Sequence, residues 1–143
     1  MLIHGNCHCG NISFRLDWQP EPLEIPARAC SCSFCTRHGG VWTACPDGDL
    51  VIEIRDSARV SNYAFGTRTA DFHVCSQCGV VPVVTSRIDG RLYAVVNVNT
   101  LNNVDASMLK RAQVSFDAED ERSRLQRRAK HWIGKVRFGP LEA

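Results

Sequence analysis

A chain of 143 residues, 44% of them hydrophobic and 22% charged, carries enough apolar material for one buried core and has the composition of an ordinary globular domain. Its formal net charge of +2 is too small to point to nucleic acid, a membrane surface or an acidic partner, and no apolar run reaches membrane-spanning length. The first residues, Met1-Leu2-Ile3-His4-Gly5-Asn6, lack the basic and apolar regions of a secretion signal. The expected setting is therefore the reducing cytoplasm, where clustered cysteines read as metal ligands rather than disulfides. Residues 1–143 are expected to form a single domain.

Along the chain the pattern is one of short strands. Residues 11–16 alternate Ile12, Phe14 and Leu16 on one face, the mark of a half-buried strand. Residues 18–26, rich in Pro and Glu, read as a loop with a short extended piece. Residues 41–44 and 50–54 are strands split by the turn Pro46-Asp47-Gly48. Residues 60–65 and 70–74 flank Gly66. Residues 80–88 and 91–98 are joined by Asp89-Gly90, the strongest hairpin signal in the chain, with Pro82 marking an edge or a bulge. A helical turn is expected over residues 105–110. Residues 117–133 read as a helix: Leu125, Ala129, Trp132 and Ile133 form one apolar stripe, Asp117 caps the start, and Gly134 stops the end. The fold class is thus mainly β with a C-terminal α-helix.

The chemistry lies in the cysteines. Seven of eight fall in three knots: Cys7-His8-Cys9, Cys30-Ser31-Cys32-Ser33-Phe34-Cys35, and Cys75-Ser76-Gln77-Cys78. Cysteines this close in sequence do not bridge comfortably, and the CxxC pair follows a strand-like segment and precedes Gly79 and Val80 rather than heading a helix, so metal outranks redox exchange. In a strand-like CxC the two side chains share a face and reach one ion; a CxxC turn followed by Gly lets two thiolates converge while backbone N–H groups face sulfur. Cys7, Cys9, Cys75 and Cys78 then make a closed four-sulfur site. Spacing alone does not exclude another partition, such as Cys7 and Cys9 joined to two of the middle cluster, but counting still leaves one site with three. Cys45, alone before Pro46, reads as a small buried hydrophobe rather than an eighth ligand. His8 and His38 stand beside ligands and read as neighbours of the sites.

Structural zinc takes four ligands, whereas catalytic zinc keeps one position open. Three thiolates from Cys30, Cys32 and Cys35 make a weak Lewis acid that suits a fourth soft ligand, so the open position fits a substrate thiol whose pKa the metal lowers. Arg37 and His38 are the local candidates for the charge partner of that anion. The competing interpretation is a second structural site closed by a ligand that spacing does not reveal.

The runs Gly5-Asn6-Cys7-His8-Cys9-Gly10-Asn11-Ile12-Ser13-Phe14, Cys30-Ser31-Cys32-Ser33-Phe34-Cys35-Thr36-Arg37 and Phe72-His73-Val74-Cys75-Ser76-Gln77-Cys78-Gly79 resemble the glutathione-dependent formaldehyde-activating enzyme family, within the centromere protein V superfamily. Asn97-Val98-Asn99-Thr100-Leu101 is similar to the strand end that follows the family's second zinc knuckle. The resemblance implies a zinc-pinned β-tent of small antiparallel sheets. It implies a structural zinc on Cys7, Cys9, Cys75 and Cys78, and a second zinc on Cys30, Cys32 and Cys35 beside the substrate. It also implies a carbon–sulfur lyase of the S-(hydroxymethyl)glutathione synthase type, joining a small thiol such as glutathione to an aldehyde. Residues after Asn103 depart from the family pattern.

Two other functions compete. Arg122, Arg124, Arg127, Arg128, Lys130, Lys135 and Arg137 with Trp132 suggest a non-enzymatic module binding nucleic acid or protein through the basic helix. The plainer interpretation is a solvated amphipathic helix with Leu125 and Trp132 packed inward, which argues against nucleic acid. An incomplete three-sulfur site also suits zinc buffering.

Overall fold

The computed structural model describes residues 1–141. The strands of its first half are β1 (Leu2–Asn6), β2 (Ile12–Asp17), β3 (Ile25–Cys30), β4 (Val41–Thr43) and β5 (Asp49–Ile54), with helix α1 (Ser33–His38) between β3 and β4. The second half carries β6 (Val60–Tyr63), β7 (Asp71–Cys75), β8 (Val83–Ile88), β9 (Arg91–Asn97), β10 (Leu109–Val114), helix α2 (Glu121–His131) and β11 (Lys135–Phe138). The mainly β class with one longer C-terminal helix is as the sequence implied. No helix of the described residues is long and apolar enough to cross a membrane.

Two sheets form. The first runs β1-β2-β5-β11 and the second β10-β3-β4-β9-β8-β7-β6. Pairing is antiparallel throughout except for β3 with β10 and β5 with β11, which are parallel. In β2, Ile12, Phe14 and Leu16 are fully buried and lie opposite Ile54, Ile52 and Leu50 of β5. The period-2 alternation thus fixes both register and core face. In the second sheet, Val83, Ala94 and Val96 supply one buried face, while Val84 and Val95 are buried on the other. Asp89 and Gly90 turn the β8–β9 hairpin with φ of 51° and 79°, the double left-handed geometry that an Asp-Gly pair favours. Gly5 is fixed by packing: a Cβ there would overlap the Phe14 ring and lie 2.8 Å from the Thr100 carbonyl oxygen.

Several expectations are corrected. The short extended piece expected in residues 18–26 is the start of β3, which runs on from Ile25 to Cys30, and β1 is a strand the pattern did not announce. β3 is rich in Ala and contains Pro26; it is a strand because β10 pairs its whole length, while β4 pairs only Arg28 and Ala29 and so spares the proline on that side. The helical turn at 105–110 is a short 3₁₀ turn, Ala106–Met108, that hands over to β10. Pro82 precedes β8 rather than sitting within it. Helix α2 is capped by Asp120, whose carboxylate accepts the Ser123 N–H at 2.8 Å, rather than by Asp117. Its end is set by Ile133, not Gly134: Ile133 exchanges backbone hydrogen bonds of 2.9 and 3.1 Å with Ala94 of β9, so Trp132 is already extended. Ala129 is exposed, and the side chain that α2 buries is Arg128. β11 then joins the first sheet, so α2 is anchored at its end to both sheets.

Candidate functional site

Two cysteine clusters form at the ends of strands. Cys7 follows β1 and Cys75 ends β7, and each opens a tight turn of the same construction. The Cys7 N–H donates to Ile12 O (2.8 Å) and Gly10 N–H to Cys7 O (3.1 Å); the Cys75 N–H donates to Val80 O (3.0 Å) and Gly79 N–H to Cys75 O (2.7 Å). Gly10 and Gly79 both adopt positive φ, 83° and 81°, which closes the turns without strain. Cys7-His8-Cys9 is therefore a turn, not the strand expected from a CxC spacing, and its sulfurs converge because the chain reverses. Cys7 and Cys9 Sγ are 3.8 Å apart, and Cys9 and Cys75 Sγ 3.5 Å. With Cys78 they form one group whose sulfurs all lie within 4.8 Å of one another. This cluster ties the β1–β2 hairpin of the first sheet to β7 of the second. Asn11 reinforces the junction by accepting the Asp56 N–H at 2.8 Å and donating to Asp56 O at 3.1 Å.

The second cluster, Cys30, Cys32 and Cys35, also has its sulfurs within 4.8 Å of one another. Cys30 ends β3, Cys32 is the N-cap of α1, and Cys35 lies in α1, buried. Cys32 Sγ accepts the Cys35 N–H at 3.3 Å, and Cys35 Sγ accepts the Trp42 indole N–H at 3.4 Å. Gly39 caps α1 in the left-handed region, and Asn99 donates from Nδ2 to its carbonyl at 3.1 Å, fixing the short helix to the end of β9. Both groups of cysteines can hold a metal ion.

Within each cluster the thiols are shifted in opposite directions. Hydrogen bonding from Cys35 holds the Cys30 thiol down to about 6 against the opposing effect of burial. Cys35 is pushed up by its sharing with Cys30 and by burial. For Cys78, burial acts upward, but the backbone N–H groups of Cys9 and Val80 and the neighbouring thiols outweigh it and bring it to about 6. Burial raises Cys7 to about 12. Cys45 belongs to neither cluster: it is buried, donates to Gln19 O at 3.6 Å, and is raised by that burial. His8 and His38 join neither group of sulfurs.

What separates the clusters is access. Cys30, Cys32 and Cys35 all line a cavity of about 400 Å³, within the range of small-molecule sites, whereas none of the four-sulfur group does. Its apolar walls include Trp42, Phe65, Phe72, Val84 and Val95. Phe72 packs edge-on to Phe34 (4.8 Å) and Trp42 (5.9 Å), an aromatic cluster that holds α1 over the sheet. The remaining wall is α2 and the segment before it.

Arg37, the charge partner expected from the sequence, is not part of this wall. It is exposed and donates to Ser33 O of its own helix at 2.9 Å. The cavity's positive charge comes instead from Arg28, Arg124, Arg127 and Arg128. Arg28 lies two residues before Cys30 in β3, on the same face. Arg124, Arg127 and Arg128 share a face of α2 at i, i+3 and i+4. That spacing was the available signal. Of the expected apolar stripe, Leu125 and Trp132 are half-buried and Ala129 is exposed, and the inward face of α2 is shared with these arginines.

A sequence model of the glutathione-dependent formaldehyde-activating enzyme family matches residues 2–118. A Halomonas elongata protein described as a putative glutathione-dependent formaldehyde-activating enzyme is 32% identical over 85 residues, covering 54% of this chain and 52% of that protein. The chain thus spans about half the length of this curated relative. A crystal structure of a Rhodobacter sphaeroides protein is similar at 30% identity and a TM-score of 0.52, covering 73% of this chain and 92% of that one. Helix α2 and β11 lie beyond the segment that the family model matches.

Proposed function

The chain belongs to the glutathione-dependent formaldehyde-activating enzyme family, and we propose that it is a zinc-dependent carbon–sulfur lyase joining a small thiol to an aldehyde at Cys30, Cys32 and Cys35. The observation that carries this reading is the contrast in access: three sulfurs open onto one largely apolar cavity of about 400 Å³, whereas of the other four only Cys9 borders a cleft, a smaller polar one of about 190 Å³. The S···S separations of 3.8 and 3.5 Å in the four-sulfur group are close to the edge of about 3.8 Å that a tetrahedron with Zn–S of about 2.3 Å requires. The all-sulfur donor set likewise favours a soft metal, and we assign zinc to both clusters, structural on Cys7, Cys9, Cys75 and Cys78. Zinc bound by three thiolates supplies an open position that attracts a thiol and lowers its pKa.

The protein's own groups do the rest. N–H donors from Cys35 and Trp42 orient Cys32 and Cys35 and spread their charge. The aromatic and aliphatic walls exclude water from a reactive aldehyde. In the reaction the thiol sulfur adds to the carbonyl carbon: an S–C bond forms, the C=O π pair moves to oxygen, and that oxygen gains the proton the thiol gives up. Asp117 and His131 in the wall are the titratable groups able to relay it. We assign the whole chain to one domain, with the cytoplasm as its setting and glutathione with formaldehyde as the first substrates to test.

The nucleic-acid reading has less support. Arg128 is only 7% exposed, and Arg127 is engaged by Glu119 through bonds of 2.9 and 3.1 Å. NMR exchange spectroscopy of isotopically labelled formaldehyde with glutathione tests the proposal. The wild-type protein is expected to accelerate adduct exchange over the spontaneous rate. No acceleration with any thiol would overturn it.

A further inference from the structure

Four guanidiniums line the cavity, and only some have partners. Arg127 is held by Glu119 through Nε and Nη2 and stacks on Phe116 with its Cζ 3.6 Å from the ring centroid. Arg124 donates from Nη2 to Phe116 O at 2.9 Å, while its buried Nε has no hydrogen-bond partner and only a loose ion pair with Glu119 Oε1 at 3.9 Å. Arg128 is the informative one. It is more than nine-tenths buried, with Nη1 donating to Thr69 Oγ1 (2.8 Å) and Ser86 Oγ (3.2 Å). Its Nε is buried without a partner, and among the described residues it pairs with no carboxylate. Arg28, partly buried in the same wall, has no carboxylate partner among the described residues either.

Arg128 has two hydroxyl partners and lies 5.0 Å from the Trp132 ring centroid, but a buried guanidinium without a carboxylate or other anion remains costly. The two hydroxyls that hold Nη1 leave the Nε/Nη2 edge for a ligand, and that edge matches the two oxygens of a carboxylate. Taking the thiol reading above as its starting point, we infer that α2 makes the cavity a receptor for acidic thiols, with Arg128, supported by Arg124 and Arg28, receiving a carboxylate of the substrate while its sulfur faces the cysteine cluster. Ser86 and Thr69 are positioning residues: Ser86 Oγ donates to Thr69 O at 2.6 Å and so turns its lone pairs to Arg128. Because α2 lies outside the segment matched by the family model, this specificity belongs to the part of the chain that the family pattern does not describe.

The test uses S-methylglutathione, whose sulfur has no proton to lose, and its diethyl ester, titrated calorimetrically into the metal-loaded protein. The acid is expected to bind roughly 10- to 100-fold more tightly than the ester, and Arg128→Gln to reduce that preference below about threefold. Arg128→Lys, which keeps the charge but not the fork, should fall between. If Arg128→Gln does not fold, the acid-to-ester ratio of the wild type and of Arg124→Gln still decides. Equal binding of acid and ester, binding of neither, or an undiminished preference in the folded Arg128→Gln variant overturns the inference. If the acid preference holds while no thiol adds to an aldehyde, it is the lyase reading that fails, and the anion receptor stands.

Discussion

Serine at Cys78 and serine at Cys32 remove one sulfur each, yet opposite consequences are expected. Cys78 belongs to the group that ties the two sheets together. A structural zinc of this kind contributes on the order of 10–16 kcal/mol to folding, against a total stability of about 5–15 kcal/mol for a domain. Losing a ligand therefore removes a share comparable to the whole, and Cys78→Ser should give an unfolded or metal-free protein. Cys32 instead caps a six-residue helix through one N–H at 3.3 Å. Serine is among the best N-caps, so the fold should lose less than about 1 kcal/mol, a shift in Tm of about 2–4 °C. Turnover should vanish. Thermal melts and zinc content, measured beside the adduct-exchange assay, check both halves. A Cys32→Ser protein with full activity, or a stable and fully metallated Cys78→Ser protein, would refute the division into scaffold and reaction centre.

Three further outcomes are expected. Ile133→Ala, at a fully buried position that docks the end of α2 on β9, should cost about 2–5 kcal/mol and weaken cavity ligands as well, read by melts and calorimetry. Gly5→Ala should destabilise by about 1–3 kcal/mol or more, because the added methyl meets Phe14 and the Thr100 carbonyl rather than open space; a chemical denaturation curve unchanged from wild type would contradict this. Asp120, held below its usual 3.8 by the Ser123 N–H, stabilises the start of α2 fully above that value and loses the effect as pH falls through its lower folded value. Protection of the first-turn amides, corrected for intrinsic exchange, should fall with acid in the wild type and stay flat in Asp120→Asn.

How much of this the sequence revealed depends on what each segment's pattern encodes. Alternation in Ile12-Phe14-Leu16 and the Asp89-Gly90 turn are local signals backed by the core, and both strands and hairpin stand where they were expected. β3 was hidden because its stability is borrowed from β10, more than eighty residues away. The three cysteine knots were plain, but not the open face of one of them, since access is a property of the walls. Arg37 stands two residues after Cys35 in sequence, yet its helix turns it to solvent. Arg128 reads as part of a solvated basic run because a guanidinium is rarely buried, whereas the docking of Ile133 on Ala94 turns its face of α2 inward.

The central claim is that one cluster is saturated with sulfur and the other has a place for one more. X-ray absorption at the zinc edge of the metallated protein, with and without glutathione, reads that directly. Seven sulfurs shared by two ions should give an average of about 3.5 per zinc at rest, rising toward four when the thiol is added. Four sulfurs at both ions from the outset, or an unchanged spectrum with saturating thiol, would contradict the account.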